Sequence, residues 1–194
     1  MSIREHTRFL REFFRKPAVV GAIAPSSRSL TRKMVEWTDW PNVRYVIEYG
    51  PGTGVFTGQI LAEMQPGTKF FAIEISPSFV DLLARSYPQA RVYQDSVTHV
   101  QDLCQREGIT QVDVILSGLP WAAFSPEDQA AYLDAMMKVL KPGGQFVTFA
   151  YLQGLLLPAG RRFKRQLSRY FSSVERSPTA WLNLPPAFVY RCRR

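Results

Sequence analysis

The 194-residue sequence has two cysteines, Cys104 and Cys192, and two histidines, His6 and His99, and none of them falls at metal-ligand spacing. That scarcity argues against a disulfide framework or a zinc site, so no metal is expected, and it fits a reducing cytosol. Long apolar runs are missing as well. A membrane-spanning helix needs about 20 apolar residues, and the longest apolar-rich stretch, Phe146 to Ala159, is interrupted by Gln153 and Gly154. A secretory leader is not expected either. Ala18-Val19-Val20-Gly21-Ala22-Ile23-Ala24 is at the short limit for one, and the long aromatic stretch before it contains acids. No internal repeat or low-complexity segment is visible.

Acidic residues are scarce in one place above all, the two ends. Residues 1–16 hold five basic groups against Glu5 and Glu12, and residues 161–194 hold nine against Glu175 alone. The middle, 17–160, holds ten basic and thirteen acidic groups, so a mildly acidic body carries the whole excess of the +8 net charge at its ends. Charge placed this way reads as attraction to an anionic surface, either nucleic acid or lipid headgroups. The body itself has the makings of a core. At 46% hydrophobic and 13% aromatic, the chain is neither disordered nor fibrous, and its length is that of one domain.

Residues 3–14 read as a helix with Ile3, Thr7, Leu10, Phe13 and Phe14 on one face and Arg4, Arg8, Arg11 and Arg15 mostly elsewhere. Pro17 stops it. A turn at Pro25-Ser26-Ser27 precedes a second helix to about Trp37, with Ser26 or Ser27 as N-cap. From residue 43 the pattern changes. Short apolar runs at 43–48, 69–75, 91–94, 112–117 and 145–151 alternate with helical stretches near 54–64, 77–87, 97–107 and 126–140. Runs buried on both faces and joined by helices predict a doubly wound α/β sheet. Lys141-Pro142-Gly143-Gly144 reads as a tight turn into the fifth strand. A basic helix near 160–171, a strand near 172–177 and a last strand at 187–192 follow, a terminal pair that departs from an all-parallel dinucleotide-binding sheet.

Glu48-Tyr49-Gly50-Pro51-Gly52-Thr53-Gly54 follows a strand and opens a helix. Glycines there permit positive φ and close approach of backbone to a ligand, and the helix N-terminus offers free N–H groups. The dinucleotide pattern would want a small residue at 55, where Val55 stands. Glu74 ends the second strand, where a carboxylate can accept two hydrogen bonds from a ribose diol. Asp95 ends the third, where a carboxylate can meet an adenine amine or cap the following helix. Each acid alone is unremarkable in such a place; three at successive strand ends beside a glycine turn converge on the crevice where these sheets bind ligands. Ser117-Gly118-Leu119-Pro120-Trp121 ends the fourth strand on the same edge. Its turn can aim carbonyls and an aromatic at a reacting group, and Trp121 either faces a cation or packs over the sheet.

Together, Glu48-x-Gly50-x-Gly52-x-Gly54, Glu74 and Asp95 resemble the S-adenosylmethionine site of class I methyltransferases, over about residues 43–151. The resemblance implies a Rossmann-like seven-stranded sheet with an antiparallel last strand and S-adenosylmethionine as cofactor. It implies that Gly50, Gly52 and Gly54 approach that cofactor, that Glu48 lies beside it, that Glu74 with Ile75 holds its ribose, and that Asp95 with Ser96 meets its adenine. A closer resemblance covers nearly the whole chain. Phe9-Leu10 through Lys16-Pro17, Gly21-Ala22-Ile23-Ala24-Pro25-Ser26, the 48–54 motif with Tyr49 in place of Leu, Ser117-Gly118-Leu119-Pro120 and Trp181-Leu182-Asn183-Leu184-Pro185-Pro186-Ala187 are similar to bacterial phospholipid N-methyltransferases. This implies stepwise methylation of the amine of phosphatidylethanolamine toward phosphatidylcholine. The protein would then be cytoplasmic and peripheral at the inner membrane surface. Ser117, Gly118, Trp121 and Tyr151 become the candidates nearest the reacting group, with Asn183 as a further headgroup contact.

The expected layout is residues 1–40 as amphipathic and lid helices and 41–194 as the cofactor-binding domain. The first helix is expected to contact an anionic membrane and phospholipid. The basic stretch 161–171 repeats the same mix of apolar and basic residues, but a helix after the fifth strand normally covers the sheet, so Leu167 and Phe171 are expected to pack inward. Three rivals stay open: an RNA adenine methyltransferase, a soluble small-molecule methyltransferase, and a cofactor-binding protein without catalysis. A looser similarity to ribosomal RNA adenine dimethylases lacks their Asn at the fourth strand, where Ser117 or Gly118 stands. Nucleic acid is the less favoured partner.

Overall fold

A computed structural model of the chain describes residues 27–194. The expected helix at 3–14, its stop at Pro17 and the segment through Ser26 lie outside the described residues. The chain runs α1 (Arg28–Val35), β1 (Tyr45–Tyr49), α2 (Val55–Glu63), β2 (Lys69–Glu74), α3 (Pro77–Ser86), β3 (Arg91–Gln94), α4 (Val100–Arg106), β4 (Val112–Ser117), α5 (Pro126–Val139), β5 (Leu140–Tyr151), α6 (Pro158–Tyr170), β6 (Ser173–Arg176) and β7 (Ala187–Arg193). The seven strands form one sheet in the order β3-β2-β1-β4-β5-β7-β6. The five strands from β3 to β5 are parallel, and β7 runs antiparallel to both its neighbours. This is the doubly wound sheet that the apolar runs predict, with the Rossmann-like order of seven strands and the antiparallel last strand that the resemblance implies.

Local sequence explains the element ends. Ser27 caps α1 by accepting from Leu30 N–H at 3.3 Å. Ser125 caps α5 by accepting from Asp128 N–H at 3.1 Å, with Pro126 in the first turn and Glu127 and Asp128 suited to the positive end of the helix. All six residues of β4 are buried, as a strand covered on both faces requires, whereas edge strand β3 has none buried.

The turn expected at 141–144 lies inside β5. Leu140 pairs with Val112 and Gln145 with Val114, so residues 141–144 loop out of a ladder that resumes beyond them. Gly143, at φ +72°, supplies the left-handed residue of that loop. Lys141 reaches back to Asp113, which also accepts from the N–H groups of Arg44 and Tyr45 and so ties the start of β1 to β4.

The core has two layers. On one face Leu30, Met34 and Val35 of α1 and Phe56 and Ile60 of α2 pack with Val46, Val114, Val147 and Val189. On the other, Leu103, Leu133 and Met136 and the α6 residues Phe163 and Leu167 pack with Ile47, Ile115, Phe146 and Tyr190. Two expectations meet this packing directly. Residues 27–40 share a core with the sheet, so burial draws no boundary at residue 40. The apolar face of basic α6 is turned inward, with Phe163, Leu167 and the following Phe171 buried and the arginines outside.

Candidate active site

In an open parallel sheet the ligand crevice forms where neighbouring strands send their chains to opposite faces. Here that place is the carboxyl end of β1 and β4. The backbone closes tightly there. Gly118 N–H donates to Tyr49 O at 2.8 Å, and Gly50 N–H donates to Ile73 O at 2.9 Å. A Cβ on Gly118 would stand 2.6 Å from the carbonyl oxygen of Gly50, so no other residue fits without parting the strands. Gly54 caps α2 at φ +83°, and a Cβ there would meet the Tyr87 ring at 2.5 Å. The glycines thus serve backbone approach and positive φ together.

The three acids stand at successive strand ends. Glu48 is fully buried. Its Oε2 accepts from the Thr57 hydroxyl at 2.7 Å and its Oε1 has no partner among the described residues. Burial pushes its carboxyl up to about 8, with Thr57 opposing and the Glu74 charge reinforcing. Glu74 is also buried. Its two oxygens accept from Gly52 N–H at 3.1 Å and Ser76 N–H at 2.9 Å. Burial raises its carboxyl above the usual range, and the backbone N–H groups of Ser76, Gly52 and Ile75 pull it partly back. Asp95 accepts from Ser96 N–H at 2.7 Å and lies 2.7 Å from His99 Nδ1. Glu74, Ile75, Asp95 and Ser96 line one crevice with Gly50 and Gly118, joined by Phe124 and Tyr132. The last two follow the fourth-strand turn in the chain and carry no motif of their own.

A second cavity of about 220 Å³ adjoins this crevice and shares Leu119 and Pro120 with it. Its walls are Trp121 and Tyr151, with Phe149, Phe163, Phe188 and Tyr190 and the small residues Gly154 and Gly160. Among the described residues no carboxylate, lysine, arginine or histidine lines it. Burial pushes the phenols of Tyr151 and Tyr190 up to about 12, so both remain protonated at neutral pH. Sequence reasoning placed Tyr151 here and missed Phe188 and Tyr190. Their alternation along β7 marks one face, but nothing local says what that face covers.

Three expected contacts are used up by packing. Ser117 is wholly buried. Its hydroxyl accepts from Trp121 Nε1–H at 2.9 Å, and its carbonyl accepts from the Thr148 hydroxyl at 3.0 Å. The Trp121 ring stacks on Phe163 at 5.2 Å and meets Phe124, Tyr132 and Phe146 edge-on. It walls the cavity as a packed residue rather than presenting an open face to a cation. Asn183 spends its amide on structure: Oδ1 accepts from Ser27 N–H at 2.9 Å and Nδ2–H donates to Pro185 O at 2.7 Å.

A reversed seventh strand, a glycine turn at the switch point and acids at the ends of β1, β2 and β3 define an enzyme that draws a methyl group from a nucleoside-bearing donor. The chain belongs to the methyltransferase domain family, whose model matches residues 46–144, and its cofactor is S-adenosylmethionine. It is 31% identical over 188 residues to an ornithine lipid N-methyltransferase of Singulisphaera acidiphila, covering 95% of this chain and 94% of that one. Among solved structures it resembles the 1,6-didemethyltoxoflavin N1-methyltransferase of Burkholderia thailandensis with S-adenosylhomocysteine bound (TM-score 0.65, 17% identity, 100% of this chain and 91% of that one). It also resembles the glycopeptide N-methyltransferase MtfA in complex with S-adenosylmethionine (TM-score 0.65, 15% identity, 84% and 92%). The residues present suit that cofactor: a cradle that admits no Cβ, a buried carboxyl with an unpartnered oxygen, and a second carboxyl fixed by backbone N–H groups.

Proposed function

We propose that the protein methylates the amine of phosphatidylethanolamine, and of its methylated intermediates, toward phosphatidylcholine at a membrane surface. The single observation that carries this reading is the apolar cavity beside the donor crevice. It has aromatic walls and, among the described residues, no ionisable group other than tyrosines that stay neutral, which suits an amine borne on a lipid better than a charged metabolite or a nucleic-acid base. The relative acting on ornithine lipid supports an amine-bearing lipid and makes that lipid the second reading. Among the described residues no helix is long and apolar enough to cross a membrane, so the substrate would be met at the surface.

In this reading Glu74 accepts from the ribose hydroxyls, Asp95 and Ser96 meet the adenine, and Gly50, Gly52 and Gly54 let the backbone close on the cofactor. The chemistry supplied by the bound cofactor is a methyl group already activated by a sulfonium. What the chain adds is placement and exclusion of water. An ammonium entering the cavity loses hydration, which disfavours its charged form and lowers its pKa. The proton therefore leaves toward water as the headgroup enters, and the nucleophilic lone pair is exposed without a basic side chain.

Incubation with radiolabelled S-adenosylmethionine and phosphatidylethanolamine vesicles, ornithine lipid vesicles or total RNA tests the proposal. Label is expected in phosphatidylethanolamine. Label in ornithine lipid alone moves the conclusion to the second reading, and label in RNA alone overturns both.

A further inference from the structure

Beyond the two cavities, apolar surface remains at the same edge of the sheet. Among the described residues, six large apolar side chains are exposed. Five of them lie in two short segments: Leu156 at 76% and Leu157 at 55%, then Trp181 at 68%, Leu182 at 86% and Leu184 at 71%. The topology brings these segments together. The first follows β5 and the second precedes β7, Tyr151 and Ala187 are register partners, and Leu152 N–H donates to Pro186 O at 2.8 Å. The second segment is a fixed loop. Ala180 bridges Ala187, and Asn183 is buried and bonded at both ends of its amide. With Asn183 held inward, its neighbours Leu182 and Leu184 project into solvent by the construction of the loop.

An exposed apolar cluster of this kind marks an interaction surface, and the charge around it selects the partner. Residues 152–170 contain no acid and five basic groups. The first of these, Arg161, is held at the cluster by donating its Nε–H to Leu155 O at 3.2 Å. Leucine and tryptophan beside arginine is the composition that settles at the headgroup boundary of an anionic bilayer. Leu157 is both exposed and part of the cavity wall, so apolar surface continues from the loop into the cavity. We propose that Leu156–Leu157 and Trp181–Leu184 form one lipid-penetrating edge, rimmed by the arginines of α6, that seats the acceptor cavity against an anionic bilayer. The inference rests on the reading of the substrate as a lipid and adds the surface through which that lipid is reached.

The test compares the full chain with its Leu182→Ser/Leu184→Ser and Trp181→Phe variants on phosphatidylglycerol/phosphatidylethanolamine vesicles. Leu182 and Leu184 touch neither cavity, so S-adenosylmethionine affinity by calorimetry and methylation of a dissolved, short-chain phosphatidylethanolamine should be unchanged in the double variant. Its sedimentation with vesicles should fall at least tenfold. On vesicles carrying a bromine-labelled acyl chain, emission of the wild-type protein should be quenched, and the difference should vanish in Trp181→Phe. Equal sedimentation of the double variant, or no Trp181 quenching on bound protein, overturns the proposal. So does shielding of Trp181 from aqueous acrylamide without vesicles, which would mean that residues 1–26 already cover the edge. If the double variant loses vesicle binding while the wild-type protein fails to methylate the short-chain lipid, the docking surface stands and the substrate reading falls.

Discussion

The two halves of the carboxyl edge are built on opposite plans. Beside β1, β2 and β3 the edge is polar and rigid: the buried Glu74 carboxyl is fixed by two backbone N–H groups and that of Glu48 by the Thr57 hydroxyl, and two glycines let β1 and β4 close to hydrogen-bond contact. Beside β5 and β7 it is apolar and, among the described residues, free of carboxylates, walled by rings whose only ionisable groups are phenols raised by burial. A cofactor with a fixed set of hydrogen-bonding groups rewards a site whose donors and acceptors are already in place. In the proposed function, a lipid headgroup that changes size with each methyl rewards a site held by the shape of its walls. The contrast therefore predicts that substitutions on the first side are costly and those on the second are mild.

The severest test is Gly118→Ala. Its Cβ would stand 2.6 Å from a backbone carbonyl that has nowhere to move, so the ends of β1 and β4 must part. We expect a loss of about 2–3 kcal/mol of stability by thermal unfolding, with weakened cofactor binding. A neutral result would show that this junction is not rigid. Glu74→Ala comes next. Loss of a charged acceptor costs about 1.5–3 kcal/mol, so S-adenosylmethionine affinity by calorimetry should fall about 10–100-fold. Unchanged affinity would remove Glu74 from the site.

A third test reads Glu48 through pH. Its carboxyl rises from an ordinary 4.5 to about 8 in the fold, so between those values the folded protein holds a proton that the unfolded chain has lost. Stability from this group is therefore full below about pH 4.5 and declines as pH rises toward about 8. In urea titrations Glu48→Gln should flatten that decline, and an identical pH profile would place the buried charge elsewhere. The mildest change is Tyr151→Phe. The phenol stays protonated at neutral pH, so removing it should alter kcat/KM less than about threefold, the scale of losing a weak wall contact. A loss above a hundredfold would mean that the acceptor side is as specific as the donor side and would erase the contrast.

The donor half was legible in sequence because its groups are local. The strands of the sheet read as apolar runs, the acids sit at the ends of three of those runs, and glycines directly follow β1 and β4. Continuous burial of β4 makes its run unmistakable. The acceptor half is assembled from residues between Leu119 and Tyr190 on β5, α6, β7 and the connections among them, and no spacing rule joins them. Residue type alone does not show how burial engages a group: the Ser117 hydroxyl, the Trp121 indole N–H and the Asn183 amide each bond another part of the chain, while Trp121 also walls the cavity. The start of β5 was read as a turn because Lys-Pro-Gly-Gly demands one, and the turn is present, but as a loop within a continuing ladder.

Leu119 and Pro120 line both cavities, so a single turn is floor to one ligand and wall to the other. Two pockets with a shared partition fill independently only if that partition stays still. A ligand that displaces the turn on one side reshapes the vacancy on the other, and the resulting coupling of affinities is equal in both directions. In the proposed function, spent cofactor and methylated lipid would then set each other's affinity through this one turn.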